Sequence, residues 1–456
     1  MKSLQMILVV LPLALARKLQ PRANTITLDA STTYQKIIGF GASEAFGHSN
    51  QFQNLADPIR RQVLDILFNK TSGAGLTILR NIITTGGIEP KSPGSATNAP
   101  TYTWDGKDDG QIWLSKAAQN EYGVKTIYAN AWSAPAYMKT NNNANNGGYL
   151  CGVSGQTCST GNWIQAYANY LTQYVKDYQS SGVTISHVGF LNEADASFPY
   201  DSMRSDGTQA AEVITVLRAT LDAAGFTSVL INCCDFEGWS LSQTVLQQVK
   251  SAGAIDKLGG LTSHGYAGAP GAPFAFSNLP VWQTEWADLS SAWVTSFSSG
   301  GTSSGLTWAQ RIQSGVTTSN LSAFLYWIGA EPAASSSSAM LVQWTSTSVT
   351  ASKRLWAFAH FARFARPGAL RIKSTSAGSL GVSAFKNTDG TLSLQVINSG
   401  SSSVQFTVSG FGNVTQVQPV LTDDKNDFVF GAKIAVASGS FSATIAGTAM
   451  MSFIPG

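Results

Sequence analysis

The chain has 456 residues, of which only 12% are charged, and its formal net charge is +3. This length is too great for one small domain and suits a barrel joined to an accessory domain. The near-neutral charge and the lack of any cluster of lysine and arginine argue against a nucleic-acid-binding protein.

The N-terminus has the pattern of a secretory signal peptide over residues 1–16. A basic start is followed by a short apolar run. This run ends in the Ala-x-Ala pattern of a cleavage site, formed by Ala14 and Ala16. The run is too short to span a bilayer as a helix, and we expect no membrane association. Residues 17–23 are either a short pro-segment or a loose end. We therefore expect a secreted, extracellular protein, in keeping with the abundance of glycine, serine and threonine.

Residues 24–36 alternate in hydropathy and predict one or two strands that join an accessory domain. Strands then alternate with helices over residues 37–367, which favours a (β/α)8 TIM barrel of the α/β class. An open doubly wound sheet would call for a glycine-rich phosphate-binding loop, and no such motif stands in the right context. The eight predicted barrel strands are Ile37–Phe40, Leu76–Ile82, Lys125–Ala129, Ile185–Leu191, Val229–Asn232, Gly260–Ser263, Val281–Thr284 and Ala323–Trp327.

The hydropathy pattern of the sequence changes after Pro367 and Gly368, which end a predicted helix that begins near Arg354. Short alternating runs are separated there by Asp-Gly and Ser-Gly turns. This pattern predicts a β-sandwich side domain over residues 368–456.

The four cysteines are consistent with an oxidising compartment. Cys151 and Cys158 bracket a Gly/Ser-rich loop and form the predicted disulfide. For Cys233 and Cys234, in an apolar strand, buried free thiols are favoured over a vicinal disulfide. No CxxC motif or zinc-site spacing occurs, so no metal and no cofactor are predicted. Asparagine begins a glycosylation sequon at Asn69, Asn320 and Asn413.

Two buried strands run directly into a carboxylate. The stretch from His187 to Asp195 carries Asn192 and Glu193 at its strand end, and the stretch from Leu279 to Trp286 carries Glu285. In (β/α)8 barrels the active site is built at the carboxyl ends of the strands, so these side chains should meet at one rim. The other polar or aromatic residues predicted at strand ends are Arg80, Trp132, His264, Tyr266 and Trp327.

Two carboxyl groups that flank a glycosidic bond are the minimum equipment for its hydrolysis. One must be protonated to assist the leaving oxygen and the other ionised, so their environments must differ. Arg80 beside Glu285 would keep that group ionised, and Tyr266 could donate a hydrogen bond to it. Asn192 could hold a sugar hydroxyl, and the tryptophans Trp132 and Trp327 offer flat faces for sugar rings.

Several neighbouring residues have a structural explanation as well as a functional one. His264 is either a wall histidine or a substrate contact. Near other strand ends, Glu44, Asp195 and Glu237 fit solvated loop acids better than substrate contacts. The segment from Asn141 to Asn146 is a polar loop that could line a subsite. Packing and sugar binding are equally good explanations for three further tryptophans, Trp239, Trp286 and Trp293.

The two strand-ending motifs, Phe190-Leu-Asn-Glu-Ala-Asp195 and Trp282-Gln-Thr-Glu-Trp286, resemble those of clan A glycoside hydrolases. With the opening Ile38-Gly-Phe-Gly-Ala-Ser43 and the sandwich built from both termini, the chain resembles glycoside hydrolase family 30 over nearly its whole mature length. The likeness is to the fungal xylanase branch, which acts on glucuronoxylan and related β-1,4-xylans.

This resemblance implies roles for individual residues. Glu193 matches the acid/base and Glu285 the nucleophile of a retaining enzyme, with the two carboxyl groups roughly 5 Å apart. Asn192 matches the asparagine before the acid, and Arg80 and Tyr266 match side chains that touch the nucleophile.

The sequence departs from the family pattern at two points. Ala194 stands where many clan members have proline, which should not affect the chemistry. The first barrel loop, Glu44 to Ser49, lacks the arginine with which such enzymes grip a glucuronate substituent. We therefore expect cleavage of plain xylan, or release of short oligomers from a chain end.

The sequence accordingly predicts a secreted retaining endo-β-1,4-xylanase that works as a monomer on a polysaccharide. A β-1,6-glucanase or a β-glucosidase-type enzyme of the same family is the alternative, because it shares the catalytic pair. In a different class, a non-catalytic wall-binding protein would keep the tryptophans but would need no paired acids.

Overall fold

The computed structural model describes residues 24–85, 88–89, 91–375 and 378–456. The predicted signal peptide and the possible pro-segment lie outside these residues. Strands in the first part of the chain are β1 Asn24–Lys36, β2 Gly39–Ser43, β3 Ile78–Ile83, β4 Thr126–Ala131, β5 His187–Gly189, β6 Leu230–Phe236, β7 Gly260–His264, β8 Val281–Glu285, β9 Asp288–Ala292, β10 Leu321–Pro332, β11 Ser337–Ser338, β12 Met340–Trp344 and β13 Val349–Ala351.

The helices lie between these strands, apart from the last, which leads into the second domain. They are α1 His48–Gln53, α2 Ile59–Phe68, α3 Gln111–Tyr122, α4 Ile164–Ser180, α5 Gly207–Ala223, α6 Trp239–Ser251, α7 Gly305–Thr318 and α8 Lys353–Ala362, with short 3₁₀ turns at Ala136–Met138 and Ile255–Lys257. Among the described residues, no helix combines the length and the apolar character needed to cross a bilayer.

Eight parallel strands close into a barrel, as predicted. Strands β2 to β8 pair in sequence order, and β10 closes the ring by pairing with both β8 and β2. Every residue of β2, β3, β7 and β8 is buried, because helices cover the outside and side chains fill the inside. The barrel is therefore a packed core whose open positions lie at the strand ends.

The remaining strands form the side domain. They are β14 Leu370–Thr375, β15 Gly381–Lys386, β16 Leu392–Asn398, β17 Val404–Ser409, β18 Gln416–Thr422, β19 Val429–Phe430, β20 Ile434–Ala435, β21 Phe441–Ile445 and β22 Ala449–Pro455. Together with β1 they make a ten-stranded sheet that wraps around its own apolar core as a β-sandwich.

The N-terminal strand is an integral part of this sandwich. β1 pairs antiparallel with β14 and parallel with β17, so it lies between two C-terminal strands. Ile26 and Leu28 enter the sandwich core, whereas Thr27 between them is exposed. On the barrel side, the buried His360 of α8 contacts the hydroxyls of Ser452 and Thr422 at 2.7 and 2.9 Å. The sandwich thus contains the first described strand of the chain and packs against the helix α8.

The cysteines form two disulfides. Cys151 and Cys158 are bridged as predicted. The expectation of free thiols at Cys233 and Cys234 is wrong, because these neighbours in β6 are joined to each other across a cis peptide bond. The strand composition that suggested buried thiols is compatible with either state, since both side chains are buried and apolar.

The three sequons differ in their surroundings. Asn413 is exposed on the sandwich, whereas Asn69 and Asn320 are partly buried. Asn69 follows α2, and its side chain accepts hydrogen bonds from the backbone amides of Thr71 and Ser72. The Asn320 side chain accepts a hydrogen bond from the guanidinium group of Arg371 at 2.8 Å. Glycosylation remains a prediction at all three, with Asn413 as the most accessible.

Replacing Ile26 with alanine should destabilise the protein by about 3 kcal/mol, because it removes a fully buried side chain from the sandwich core. The matched control is Thr33→Ala on the same strand, where the side chain is exposed and a change below about 0.5 kcal/mol is expected. Urea denaturation measures both. Equal stabilities for the two variants would contradict the placement of β1 in the core.

Candidate active site

The carboxyl ends of the barrel strands bring the predicted residues together. Asn192 and Glu193 follow β5, His264 ends β7 and Glu285 ends β8. All four are buried, with Glu193 only 6% and Glu285 only 4% exposed. Buried polar side chains are stable only when they have hydrogen-bonding partners, so these four residues require a network of such partners.

Strand alternation explains why a charged residue can lie inside the barrel. In β3, Ile78 and Ile82 contact apolar residues of the barrel interior, so Arg80 between them points the same way. In β4, Tyr128 and Asn130 are two residues apart, so both side chains point into the barrel by the same rule.

Asp235, near the end of β6, is the acceptor at the centre of this network. Its Oδ2 accepts hydrogen bonds from Tyr128 and Asn130, both at 2.8 Å, and from Arg80 at 3.2 Å. Its Oδ1 accepts one from Thr284 at 2.6 Å. Burial works against the charged form, but His264 and Arg80 outweigh it and hold the pKa of Asp235 well below its usual range.

Arg80 connects this buried anchor to the predicted nucleophile. Nη1 forms an ion pair with Glu285 Oε2, and Nη2 donates to Asn192 Oδ1 at 2.7 Å. The second oxygen of Glu285 accepts a hydrogen bond from Tyr266 at 2.9 Å. Both Glu285 oxygens are therefore fixed by donors, which orients the carboxylate and favours its ionised form.

The electrostatic environment of Glu285 contains opposing contributions. Burial raises its pKa above the usual value, as does the nearby Glu193, while the positive charges of His264 and Arg80 lower it. The net direction is upward, so desolvation is the stronger influence.

His264 links the two glutamates. Its Nδ1 lies 3.0 Å from Glu193 Oε1, and its Nε2 lies 3.7 Å from Glu285 Oε2 and 3.8 Å from Asp235 Oδ2. Burial disfavours a charged imidazole, but these three carboxylates prevail and raise the pKa of His264 to about 10. His264 is therefore an imidazolium at neutral pH and a donor to Glu193.

The backbone of the site is held in an uncommon conformation. Glu193 and Asp235 have φ angles of 48° and 50°, in the left-handed region that side chains other than glycine seldom adopt. The amide of Glu193 donates to the carbonyl of Asp235 at 2.7 Å. Because such backbone costs of order 1–3 kcal/mol, the surrounding hydrogen bonds must enforce it.

A carboxylate oxygen from each glutamate and a ring nitrogen of His264 lie within 4.8 Å of one another. This trio has ligand types suited to a metal ion. However, Glu285 is already neutralised by Arg80 and bonded by Tyr266, so a divalent cation would sit beside a guanidinium group. The donor set therefore fits a pair of reacting carboxyl groups better than a metal site.

Four aromatic side chains, which we call the aromatic rim, pack against one another near Arg80: Phe46, Trp132, Tyr200 and Trp327. The ring of Trp132 is 4.9 Å from that of Phe46 and 5.6 Å from those of Tyr200 and Trp327. Trp327 also lies 5.9 Å from the Arg80 guanidinium. Phe46 is 50% exposed, so the rim offers an apolar face toward solvent, as sugar rings require.

The remaining candidates from the sequence have mainly structural contacts. Trp239 is buried and donates to Gln283 at 2.7 Å, and Trp286 is buried against Trp308. Trp293 lies over the guanidinium of Arg354. Asn141 donates to backbone carbonyls of its own loop at residues 145 and 147, which gives that loop internal order.

The expectation of a solvated Glu44 is wrong. Glu44 is buried and accepts a hydrogen bond from the amide of Ala330 at 2.6 Å, and burial raises its pKa well above the usual value. The position of Glu44 just after a strand gives no sign of this contact, because Ala330 lies 286 residues further along the chain. Asp195 and Glu237 are partly exposed, and the amide of Glu237 donates to Asp195 at 3.2 Å.

Sequence reasoning missed Asp235 and two members of the aromatic rim. The predicted fifth barrel strand ended at Asn232, three residues before Asp235, whereas the corresponding strand β6 continues to Phe236. Extending that strand would have placed an acidic side chain at the barrel interior. For Phe46 and Tyr200, which lie in loops, no periodicity was available as a signal.

Comparison with known proteins agrees with this architecture. Residues 37–363 match the model described as glycosyl hydrolase family 59, and residues 368–453 match the family 30 β-sandwich domain. A solved structure, the catalytic domain of a GH30 xylanase C from Talaromyces cellulolyticus, is 47% identical and covers 94% of this chain and 99% of its own, with a TM-score of 0.89.

The chain belongs to glycoside hydrolase family 30. The 47% identical relative decides this because it spans barrel and sandwich together, whereas the family 59 model covers the barrel alone. The predicted family and the predicted fold class are thus confirmed.

Two other relatives of this family 30 hydrolase are more distant. A family 30 xylanase from Clostridium acetobutylicum is 22% identical, covers 94% of this chain and 99% of its own with a TM-score of 0.73, and shares the fold. An endo-1,6-beta-D-glucanase of Trichoderma harzianum is 27% identical over 228 residues, or 44% of this chain. That match covers only 43% of the glucanase, so the chain spans less than half of this curated relative.

Replacing His264 with glutamine should destabilise the hydrolase most at pH 6 and least near pH 10. The folded protein holds the His264 proton up to about pH 10, whereas an unfolded histidine loses it near pH 6.5. The stabilisation is therefore complete below pH 6.5 and disappears as the pH rises through 10.

The measurement is the difference in unfolding free energy between wild type and His264→Gln at several pH values. The difference is needed because burial lowers the pKa of Lys139 to about 7. Lys139 therefore makes the unfolding free energy rise with pH over the range in which the His264 contribution falls, and this effect cancels between the two proteins. A difference in unfolding free energy that does not change with pH would show that His264 is neutral.

Proposed function

We propose that this family 30 hydrolase is a secreted, retaining β-1,4-xylanase. The observation that carries the mechanism is the approach of the Glu193 and Glu285 oxygens to within 4.8 Å of each other. Retaining glycosidases hold their carboxyl groups about 5 Å apart, whereas inverting enzymes leave a wider gap for water. Secretion is supported by the signal-peptide pattern and by the two disulfides.

In the first step Glu285 attacks the anomeric carbon, and Glu193 gives its proton to the glycosidic oxygen as that bond breaks. In the second step a water molecule attacks the glycosyl-enzyme ester, and Glu193 takes the proton of the water. Arg80 and Tyr266 suit Glu285 to this role because they fix and charge-stabilise the attacking carboxylate. Glu285 then leaves as the same carboxylate.

The substrate assignment rests on the similarity to the Talaromyces xylanase and on the aromatic rim. The first barrel loop provides Phe46 and His48 rather than an arginine, and His48 is paired with Glu331 at 3.3 Å. An apolar, half-exposed ring at this position would accept an unsubstituted sugar more readily than a glucuronate. We therefore propose that glucuronate is not required.

A β-1,6-glucanase is the second candidate, favoured by the similarity to the Trichoderma glucanase. The catalytic pair would be the same for either polymer, so only the loops around the aromatic rim select the substrate.

Product analysis on glucuronoxylan, arabinoxylan and β-1,6-glucan tests the substrate. We expect comparable cleavage of both xylans and little cleavage of the glucan. Each of Glu193→Gln and Glu285→Gln should lower turnover about a thousandfold, because each removes one of the two reacting groups. Glu121→Gln is the control, since Glu121 pairs with Arg61 on the surface.

Cleavage of the β-1,6-glucan alone would contradict the xylanase assignment and support the β-1,6-glucanase instead. Binding of polysaccharide with no turnover in the wild type would instead indicate a wall-binding protein. Retention is read from the anomer that first appears, by NMR of the early products.

The acid limb of the pH profile should lie above pH 4.5. Glu285 must be ionised to attack, and burial raises its pKa above the usual 4.5. Activity is therefore present above the raised pKa and is lost as the pH falls through it. The measurement is kcat/KM on xylan from pH 3 to pH 8, and full activity at pH 4 would contradict the expectation.

A further inference from the structure

A cavity of about 470 Å³ lies on the lower face of the barrel, where the parallel strands begin. We call it the lower-face cavity, and its walls include Ile38, Val281 and Ser322, which lie within two residues of the starts of β2, β8 and β10. Its volume is in the range of small-ligand sites, about 300 to 1,000 Å³. Because Glu193 and Glu285 lie at the other ends of the strands, this cavity is separate from the catalytic cleft.

The lining of the lower-face cavity is polar but almost uncharged. Its polar groups are mainly side-chain amides and hydroxyls, contributed by Gln35, Ser277, Asn278, Ser319, Asn320 and Ser322. Among the described residues that line it, Lys36 is the one charged side chain, and no carboxylate is present. Such a surface suits a neutral or weakly acidic ligand with many hydroxyl groups and does not suit a cation.

One aromatic ring of this cavity stands on a buried support. Tyr34 lines the cavity and is 42% exposed. The guanidinium carbon of Arg371 lies 3.7 Å from the centre of the Tyr34 ring, and Arg371 itself is only 7% exposed. One face of the ring therefore covers a buried cation, which leaves the other face available to a ligand.

Arg371 is fixed in turn by two hydrogen bonds. Its Nε donates to Gln35 Oε1 at 2.9 Å, and its Nη2 donates to Asn320 Oδ1 at 2.8 Å. The amide of Gln35 donates to two backbone carbonyls of the barrel, at 2.7 and 3.1 Å. Tyr34 is therefore ordered before any ligand arrives, and a ring that is already ordered loses little conformational entropy on binding.

The lower-face cavity adjoins a second one. Residues 277–279 line both, and the second cavity, of about 480 Å³, extends to Lys250 and Asp256. The stretch between β7 and β8 that provides these residues contains no helix, unlike the other connections between consecutive barrel strands in the described chain. The two cavities lie side by side along the lower edge of the barrel, an extended arrangement that a polymer chain can follow.

We propose that the lower-face cavity binds a segment of the polysaccharide that the enzyme degrades, with Tyr34 as the stacking platform for one sugar ring. A sugar ring presents C–H groups on its faces and hydroxyl groups at its edge, which match a flat aromatic ring surrounded by amides and hydroxyls. The bound segment keeps the hydrolase on an insoluble polymer and raises the local concentration of chains near the cleft. This inference rests on the proposed function for the identity of the polymer.

Counting the binding sites tests the proposal. Isothermal titration calorimetry of Glu285→Gln with xylotetraose should find two molecules bound per protein, because a tetrasaccharide is too short to reach both faces of the barrel. Adding Tyr34→Ala should remove one of the two sites, whereas adding Tyr34→Phe, which keeps the ring, should leave both. One bound molecule in Glu285→Gln, or two in Glu285→Gln/Tyr34→Ala, would overturn the proposal.

Turnover by the active enzyme gives a second readout. On insoluble xylan, Tyr34→Ala should lower kcat/KM roughly tenfold, because the second attachment to the polymer is lost. On soluble xylotetraose, kcat/KM should change less than about twofold, since Tyr34 lies on the face opposite the cleft. Equal losses on the two substrates would overturn the proposal by showing a general defect of the fold.

Phe430→Ala is the matched control. Phe430 is 47% exposed and lies 5.5 Å from the guanidinium group of Arg363, so its surroundings resemble those of Tyr34, but it does not line the lower-face cavity. Both its site count and its turnover should equal those of the parent protein. If Tyr34→Ala does not fold, Asn278→Arg replaces it, because Asn278 is an exposed residue of the same lining and a longer side chain there should fill the cavity.

The alternative occupant of the cavity is a glycan of the chain itself, since Asn320 begins a sequon and lines the cavity. A glycan found on Asn320 by mass spectrometry would fill this space and overturn the proposal. The inference and the proposed function also fail separately. Wild type that cleaves no xylan would contradict the proposed function, whereas cleavage of xylan together with a single xylotetraose site in Glu285→Gln would contradict the inference alone.

Discussion

The site depends on the burial of a guanidinium group between two carboxylates. Arg80 is fully enclosed by the barrel and bridges Asp235 to Glu285 while it also holds Asn192. A buried cation of this kind is tolerable only when every neighbouring acceptor is in place. The ion pair of Arg80 therefore couples the integrity of the barrel interior to the orientation of the reacting groups.

The two glutamates receive different surroundings from this arrangement. Glu285 has a guanidinium and a phenol at its two oxygens, whereas Glu193 has an imidazolium at one of its oxygens. The opposite roles proposed for these two chemically identical side chains require such asymmetry. The barrel provides it because each strand ends at a different point around the rim, next to a different loop.

Much of this could be predicted from the sequence, since it is encoded by local patterns. The eight strands, the sandwich and the polar residues at strand ends follow from alternation and length, and Glu193 and Glu285 each follow an apolar strand. Asp235 was missed because the predicted strand ended at Asn232, whereas the strand continues to Phe236. Glu44, Phe46 and Tyr200 belong to loops, whose course depends on contacts such as Lys139 with Ser202 that are remote in sequence.

The placement of β1 has a consequence for the order in which the protein can be assembled during synthesis. Asn24–Lys36 leaves the ribosome before the barrel does, yet its partners Leu370–Thr375 and Val404–Ser409 leave after the barrel. The first strand must therefore wait, unpaired, while the entire barrel is translated. Because its partners are so distant along the chain, closure of the sandwich should be the slow, late event in folding, and the growing chain needs protection from aggregation until then.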